Sequence, residues 1–185
     1  HKMFKELFLT NNISFKAISL DENGIVIDDL KKYNVNIAYV TPSHQFPTGA
    51  IMSISRRTEL LNWANENLDR YIVEDDYDSE FKYTGRPIPA LKANDINDKV
   101  IYLGSFSKSI SPAIRVSYLV LPKALLNIYQ RELPYFICPV PTLNQKILYR
   151  FIKEGHFVKH INKMRTLYKK KREFLVNTIK TYSSK

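Results

Sequence analysis

Three short polar stretches hold most of the residues in this 185-residue chain that could do chemistry. The first is Pro42-Ser43-His44-Gln45-Phe46-Pro47-Thr48-Gly49, which offers an imidazole, a carboxamide and hydroxyls. The second is Glu74-Asp75-Asp76-Tyr77-Asp78-Ser79-Glu80, five carboxylates in seven residues around one phenol. The third is Gly104-Ser105-Phe106-Ser107-Lys108-Ser109, one primary amine among three hydroxyls, with Arg115 seven residues beyond the lysine. A neutral amine attacks carbonyl carbon, and burial beside a cation favours the neutral form. A guanidinium fork suits the oxygens of phosphate or carboxylate. Taken singly, each stretch has a plain alternative. Ser, Thr, Pro and Gly after a strand usually make a turn, a lone lysine usually sits at the surface, and an acidic run is usually solvated. Asp76, Asp78 and Glu80 alternate like oxygen ligands, but no glycine lies among them to bend the chain round an ion, so no metal site is expected.

Each of the three stretches follows a run that reads as a strand: residues 37–41, 71–75 and 100–105. Residues 14–20 and 116–121 read the same way. Most of these runs are short, continuous, apolar and rich in Ile, Val and Tyr, the pattern of strands buried on both faces. Helical spacing appears at residues 28–33, 53–68, 123–133, 143–153 and 156–182. Either Ser53 or Ser55, the latter with Glu59 behind it, could open the second of these helices. Pro122 precedes the third, where a helix accepts proline. Pro134, Pro139 and Pro141 interrupt the chain before the last two, and the final helix spaces Phe157, Ile161, Met164, Tyr168, Leu175 and Ile179 along one face. Strands alternating with helices predict a doubly wound α/β fold with a mostly parallel sheet. The link from Ser105 to Val116 is too short for a crossover helix, so those two strands are expected to run antiparallel. Ligands of open α/β sheets bind beyond the carboxyl ends of the strands, which is where all three polar stretches fall.

Composition sets outer bounds. The chain is 44% hydrophobic and 25% charged, with 5 Gly and 9 Pro, which suits one folded domain or at most two and excludes a linker or low-complexity chain. A lone cysteine, Cys138, forms no internal disulfide and fits a reducing, cytoplasmic setting. The longest uncharged stretch includes His44, two prolines and Gly49, so it is no membrane span. The start, His1-Lys2-Met3-Phe4, has neither an initiator methionine nor a signal pattern and reads as a cut from a longer chain. The net charge of +10 is confined to the end: residues 1–145 carry 16 Lys/Arg and 16 Asp/Glu, whereas residues 146–185 carry 12 Lys/Arg against Glu154 and Glu173. Lys169-Lys170-Lys171-Arg172 covers every side of a helix, which suits a solvated helix better than a nucleic-acid stripe.

In this order the three stretches resemble the large domain of fold-type-I pyridoxal-phosphate enzymes, the aspartate-aminotransferase-like fold. Within it the chain is most similar to the MocR subfamily of GntR-type transcriptional regulators. The resemblance rests on Val40 to Gly49, on Val73 to Phe81 with Tyr83, and on Tyr102 to Ser109 with Ser111-Pro112 and Arg115, and it extends through Glu154-Gly155-His156-Phe157 into the basic helix. Ser43-His44-Gln45-Phe46-Pro47 is the wording of MocR-type domains; ordinary aminotransferases tend to have Asn where this chain has Phe46. The resemblance implies that Lys108 is the Schiff-base lysine and that Asp75 pairs with the pyridine nitrogen, with Asp76 its rival should the strand register slip by one. It implies that Tyr77 hydrogen-bonds the ring's phenolic oxygen, that Ser105, Ser107 and Arg115 hold the phosphate, and that His44 or Gln45 lies near the ring.

The resemblance also implies residues 1–142 as a cofactor-binding α/β portion and residues 143–185 as a basic helical extension leading to a small domain. Ser117 stands where the family often has Gly, a change expected to be tolerated. The upstream loop that supplies a ring-stacking aromatic, the small domain with its carboxylate-binding Arg, and the winged helix of the regulators are all expected outside these residues. The reading is therefore an effector-sensing domain of a homodimeric regulator that responds to an amine or amino acid and meets DNA only through its missing N-terminal domain. The alternatives are a pyridoxal-phosphate-dependent aminotransferase and a basic nucleic-acid-binding module.

Overall fold

Four of the five apolar runs become strands of one sheet. A computed structural model describes residues 2–82 and 88–183. In chain order the elements are α1 (Lys2–Thr10), β1 (Leu20–Asp21), β2 (Gly24–Ile25), α2 (Ile27–Lys31), β3 (Ile37–Val40), α3 (Ile54–Asn65), β4 (Tyr71–Asp76), β5 (Val100–Ser105), α4 (Phe106–Ser109), β6 (Ser117–Val120), α5 (Lys123–Glu132), α6 (Thr142–Lys153) and α7 (His156–Ser183). The larger sheet has the order β3-β4-β5-β6. β3 and β4 run parallel, with Tyr39 opposite Val73 and Val40 opposite Glu74, and α3 makes the crossover between them. The α/β architecture expected from the alternation is the one observed, and β6 lies next to β5 as the short link required.

The fifth run departs from expectation. Of residues 14–20 only Leu20 is in a strand, a two-residue piece that pairs antiparallel with β2 through a tight turn at Gly24, φ +101°. β propensity describes fit to a pleated neighbour, and here the chain is held by isolated bonds instead. Val26 N–H donates to the Ser19 carbonyl at 3.0 Å, and Ser19 N–H donates to Asp29 Oδ2 at 2.9 Å. Helix α1 was not anticipated. Ser53, not Ser55, caps α3: its Oγ accepts the Arg56 N–H at 3.3 Å, whereas Ser55 is the second residue of the first turn and bonds Glu59.

The chain divides into two units. One comprises residues 1–76, 88–103 and 119–126. Its core is made by Leu30 of α2, by Leu60, Trp63 and Ala64 of α3, by Ile72 of β4, by Val100 of β5 and by Leu91 in the segment before β5, all at most 1% exposed. Along β4 burial alternates: Ile72, Glu74 and Asp76 face the enclosed side, and Tyr71, Val73 and Asp75 the half-buried side. The other unit comprises residues 77–87, 104–118 and 127–185. There α6 and α7 pack through Leu148 and Ile161, and Phe157 meets both Phe106 and Phe151 edge-on. The apolar face expected along α7 is covered only in its first half; Leu175 and Ile179 are 58% and 55% exposed. No described helix is long and apolar enough to cross a membrane.

Candidate functional site

In the first unit the loop after β3 folds on itself. Gln45 N–H donates to the Ala50 carbonyl at 2.9 Å, Gly49 turns at φ +73°, and the Gln45 carboxamide oxygen accepts the Thr48 hydroxyl at 2.9 Å. His44 and Gln45 are half-buried, and the Phe46–Pro47 peptide is cis. Arg57 of α3 pins this loop from beneath. Its guanidinium donates to the carbonyls of Pro42 at 2.9 Å, Met52 at 3.1 Å and Pro89 at 2.9 Å. It also lies 3.8 Å from Glu74, whose two oxygens accept the N–H groups of Leu91 and Lys92 at 2.8 and 2.9 Å. Burial lifts the Glu74 carboxyl above its ordinary value and lowers that of Arg57, each in part opposed by the other's charge.

The acidic run is therefore no solvated patch: Glu74 is 0% and Asp76 6% exposed. Alternation along β4 separates the two rival aspartates. Asp76 lies on the enclosed side and accepts the Tyr102 hydroxyl at 2.7 Å. Asp75 lies on the half-buried side, where the Tyr39 hydroxyl of β3 donates to its Oδ2.

In the second unit Tyr77 is half-buried and leads into a 3-10 turn, Ser79–Phe81. That turn is held to α7 by Arg165 Nε, which donates to the Glu80 carbonyl at 2.5 Å, and by the Phe81 ring standing edge-on to Tyr168 at 5.3 Å. Tyr83, part of the matched stretch, lies outside the described residues. Ser105 ends β5 and opens α4, its Oγ accepting the Ser107 N–H at 3.2 Å. Lys108, on α4, is exposed; Ser109 beside it is buried, and its Oγ makes no hydrogen bond among the described residues. The chain then turns through Pro112–Ile114 and Arg115, and the Phe106 N–H closes the loop by donating to the Val116 carbonyl at 3.0 Å. Ser105, Ser107, Lys108 and Arg115 thus belong to one closed turn.

Arg115 itself sits in the left-handed region at φ +50°, ψ +36°, a conformation that costs an ordinary side chain about 1–2 kcal/mol. It is exposed, in keeping with a guanidinium that stays hydrated unless a partner offsets burial. Gly104 is required by close approach: a Cβ there would lie 2.2 Å from Tyr118 Cζ, and the Tyr118 ring is tilted against Phe106 at 5.2 Å.

Two residues of this framework were missed from the sequence. Arg57 stands three, four and seven residues before Leu60, Leu61 and Ala64, so a cation occupies the apolar stripe of α3, which is the signal of a buried, hydrogen-bonded charge. Tyr39 shares a sheet face with Asp75 once the parallel register is known.

Residues 10–183 match the family of class I and II aminotransferases. The chain belongs to that family. It is 45% identical over 175 residues to an uncharacterized HTH-type transcriptional regulator, YdeL of Bacillus subtilis strain 168, an alignment that covers 95% of this chain and 38% of that protein. It is 35% identical over 159 residues to the probable rhizopine catabolism regulatory protein MocR of Rhizobium meliloti, covering 86% of this chain and 32% of the relative. Among solved structures, the kynurenine aminotransferase of Pyrococcus horikoshii, crystallised with PMP, superposes with a TM-score of 0.80 at 29% identity, over 91% of this chain and 44% of that one. The chain spans less than half the length of each of these proteins. The fold class and the resemblance to MocR-type regulators drawn from the three motifs are both borne out.

Proposed function

We propose that this chain is the pyridoxal-phosphate-binding, effector-sensing region of a MocR-type transcriptional regulator. The observation that carries the proposal is the closed turn that groups the Ser105 and Ser107 hydroxyls, the Lys108 amine and the Arg115 guanidinium, fastened by the bond from Phe106 to Val116. That donor set fits an aldehyde bearing a phosphate ester. Lys108 would hold the aldehyde end, and the two hydroxyls with the guanidinium would hold the phosphate oxygens. Asp75 is the carboxylate suited to pair with the pyridine nitrogen, since Asp76 is enclosed against Tyr102. Tyr77 serves the phenolic oxygen of the ring, and His44 and Gln45 flank it. When bound, the cofactor supplies an electron sink; the chain's own residues bind it, orient it and fix its protonation.

The higher identity to YdeL and MocR than to the kynurenine aminotransferase supports sensing over catalysis. An amine or amino acid bound at this site would alter the domain, and a DNA-binding winged helix elsewhere in the protein would respond. This works only through different effector affinity for two states. We read the whole protein as a cytoplasmic homodimer. Tyr135, Phe136 and Ile137, 91%, 72% and 90% exposed, form an apolar patch of the kind that marks interfaces. The second reading, an aminotransferase, is favoured by the family itself; steady release of a keto acid from an amino acid by the full-length protein would select it.

Borohydride reduction of the full-length protein with pyridoxal phosphate, followed by peptide mapping, tests the site. The label is expected on Lys108 and is expected to vanish in Lys108→Ala. A label on another lysine would overturn the assignment.

A further inference from the structure

Two phenols from neighbouring strands each grip one of two consecutive aspartates on β4. Tyr102 of β5 donates to Asp76 on the enclosed side of the sheet, and Tyr39 of β3 donates to Asp75 on the other. The parallel register explains the second contact. Tyr39 lies opposite Val73, and Val73 and Asp75 share one side of β4, so the phenol needs to reach only two residues along the partner strand. Tyr39 and Asp75 are both half-buried, where a hydrogen bond to a charged group is stronger than in open water.

We propose that Tyr39 is a positioning residue for the cofactor: its hydroxyl holds Asp75 in the orientation, and in the ionised state, that a cationic ring N–H requires. The inference rests on the reading of Asp75 given above. A phenol O–H donated to a carboxylate favours the charged form, and it fixes the side-chain torsion that would otherwise let the carboxylate swing. A carboxylate has acceptor capacity on both oxygens, so the phenol and a ring N–H are accommodated together. Tyr39 touches no reacting atom in this account; it acts through Asp75.

The experiment is a double-mutant cycle on the full-length protein, read by equilibrium titration with pyridoxal 5′-phosphate in the absence of any amino substrate. Tyr39→Phe keeps the ring and removes only the donor. It is expected to weaken cofactor binding about tenfold, the scale of one hydrogen bond to a charged group, while the unfolding midpoint of the cofactor-free protein stays near that of the parent. Asp75→Ala is expected to weaken binding more, and in its background Tyr39→Phe is expected to add nothing, because contacts that act as one unit are non-additive. Asp75→Asn serves in the same cycle if the alanine variant does not fold. If Asp75→Ala or Asp75→Asn leaves affinity unchanged, the reading of Asp75 is wrong and this inference goes with it. If those variants bind weakly but Tyr39→Phe binds like the parent, or if the two losses simply add, the assignment of Tyr39 alone is overturned.

Discussion

The unit built on β3, β4 and β5 encloses Leu60, Trp63, Ala64 and Ile72 completely, whereas the unit that carries α6 and α7 leaves Phe174, Leu175 and Tyr182 at 75%, 58% and 73% exposure. Apolar burial stabilises by roughly 25 cal/mol per Å² removed from water, so the first unit is held by its interior. The second is held at separate points: ring contacts around Phe106 and Phe157, the clasp on the turn at Glu80, and the closed turn at Arg115. Regions with fewer buried contacts open at lower free energy, so the second unit is expected to open before the first.

The largest effect expected from this contrast is at Arg57. Arg57→Ala removes the donor to three loop carbonyls and strands Glu74 without its cation. Breaking one partner of a buried pair costs about 3–5 kcal/mol. Urea denaturation of the full-length protein measures it, and a loss under about 1 kcal/mol would mean the interior is less decisive than its burial indicates.

An intermediate effect is expected in the second unit. Gly104→Ala drives a methyl into Tyr118 and is expected to cost about 1–3 kcal/mol, the range for overpacking. Adding Tyr118→Ala should restore most of it, since the two share one contact. If the double variant is no better than the single, the strain lies in the backbone at 104 and not in the ring.

The smallest effect concerns acid. Lys92, 2.8 Å from Asp98, holds that carboxyl below its ordinary value of 3.8 by hydrogen bonding, with the Lys123 N–H assisting. The folded state therefore binds this proton less tightly than the unfolded state. Its contribution is present at neutral pH and lost as pH falls from near 3.8 through the lowered folded value. Asp98→Asn keeps a residue type that tolerates φ +56°. It is expected to lower neutral-pH stability by less than about 1 kcal/mol, since the pair is partly exposed, and to flatten the acid limb of the stability profile. Parallel profiles for parent and variant would remove Asp98 from the account.

Strands β3 to β6 were legible because continuous apolar runs have few other destinations, and α3, α5, α6 and α7 because helical spacing runs long there. Residues 14–20 were not, because β-branched side chains without a neighbouring strand carry no instruction to pair. The alignment of Lys108, Ser105 and Arg115 was legible as a motif, but Arg115's left-handed backbone was not, since nothing in the type of an arginine announces it. The acidic run misled for a related reason. Five carboxylates in seven residues look alike as composition, and only strand alternation, with Arg57 and the amides of Leu91 and Lys92 on one side, sorts the enclosed from the accessible.

Arg165 grips the turn after Tyr77 by a carbonyl oxygen, a group that every amino acid carries. The identity of residue 80 is therefore immaterial to that grip, and substitutions there can accumulate without unseating the neighbouring phenol. Position 165 has no such latitude, because the contact needs a long side chain ending in an N–H. Over evolutionary time the acidic loop can thus change its charge while the helix that steadies it stays the same.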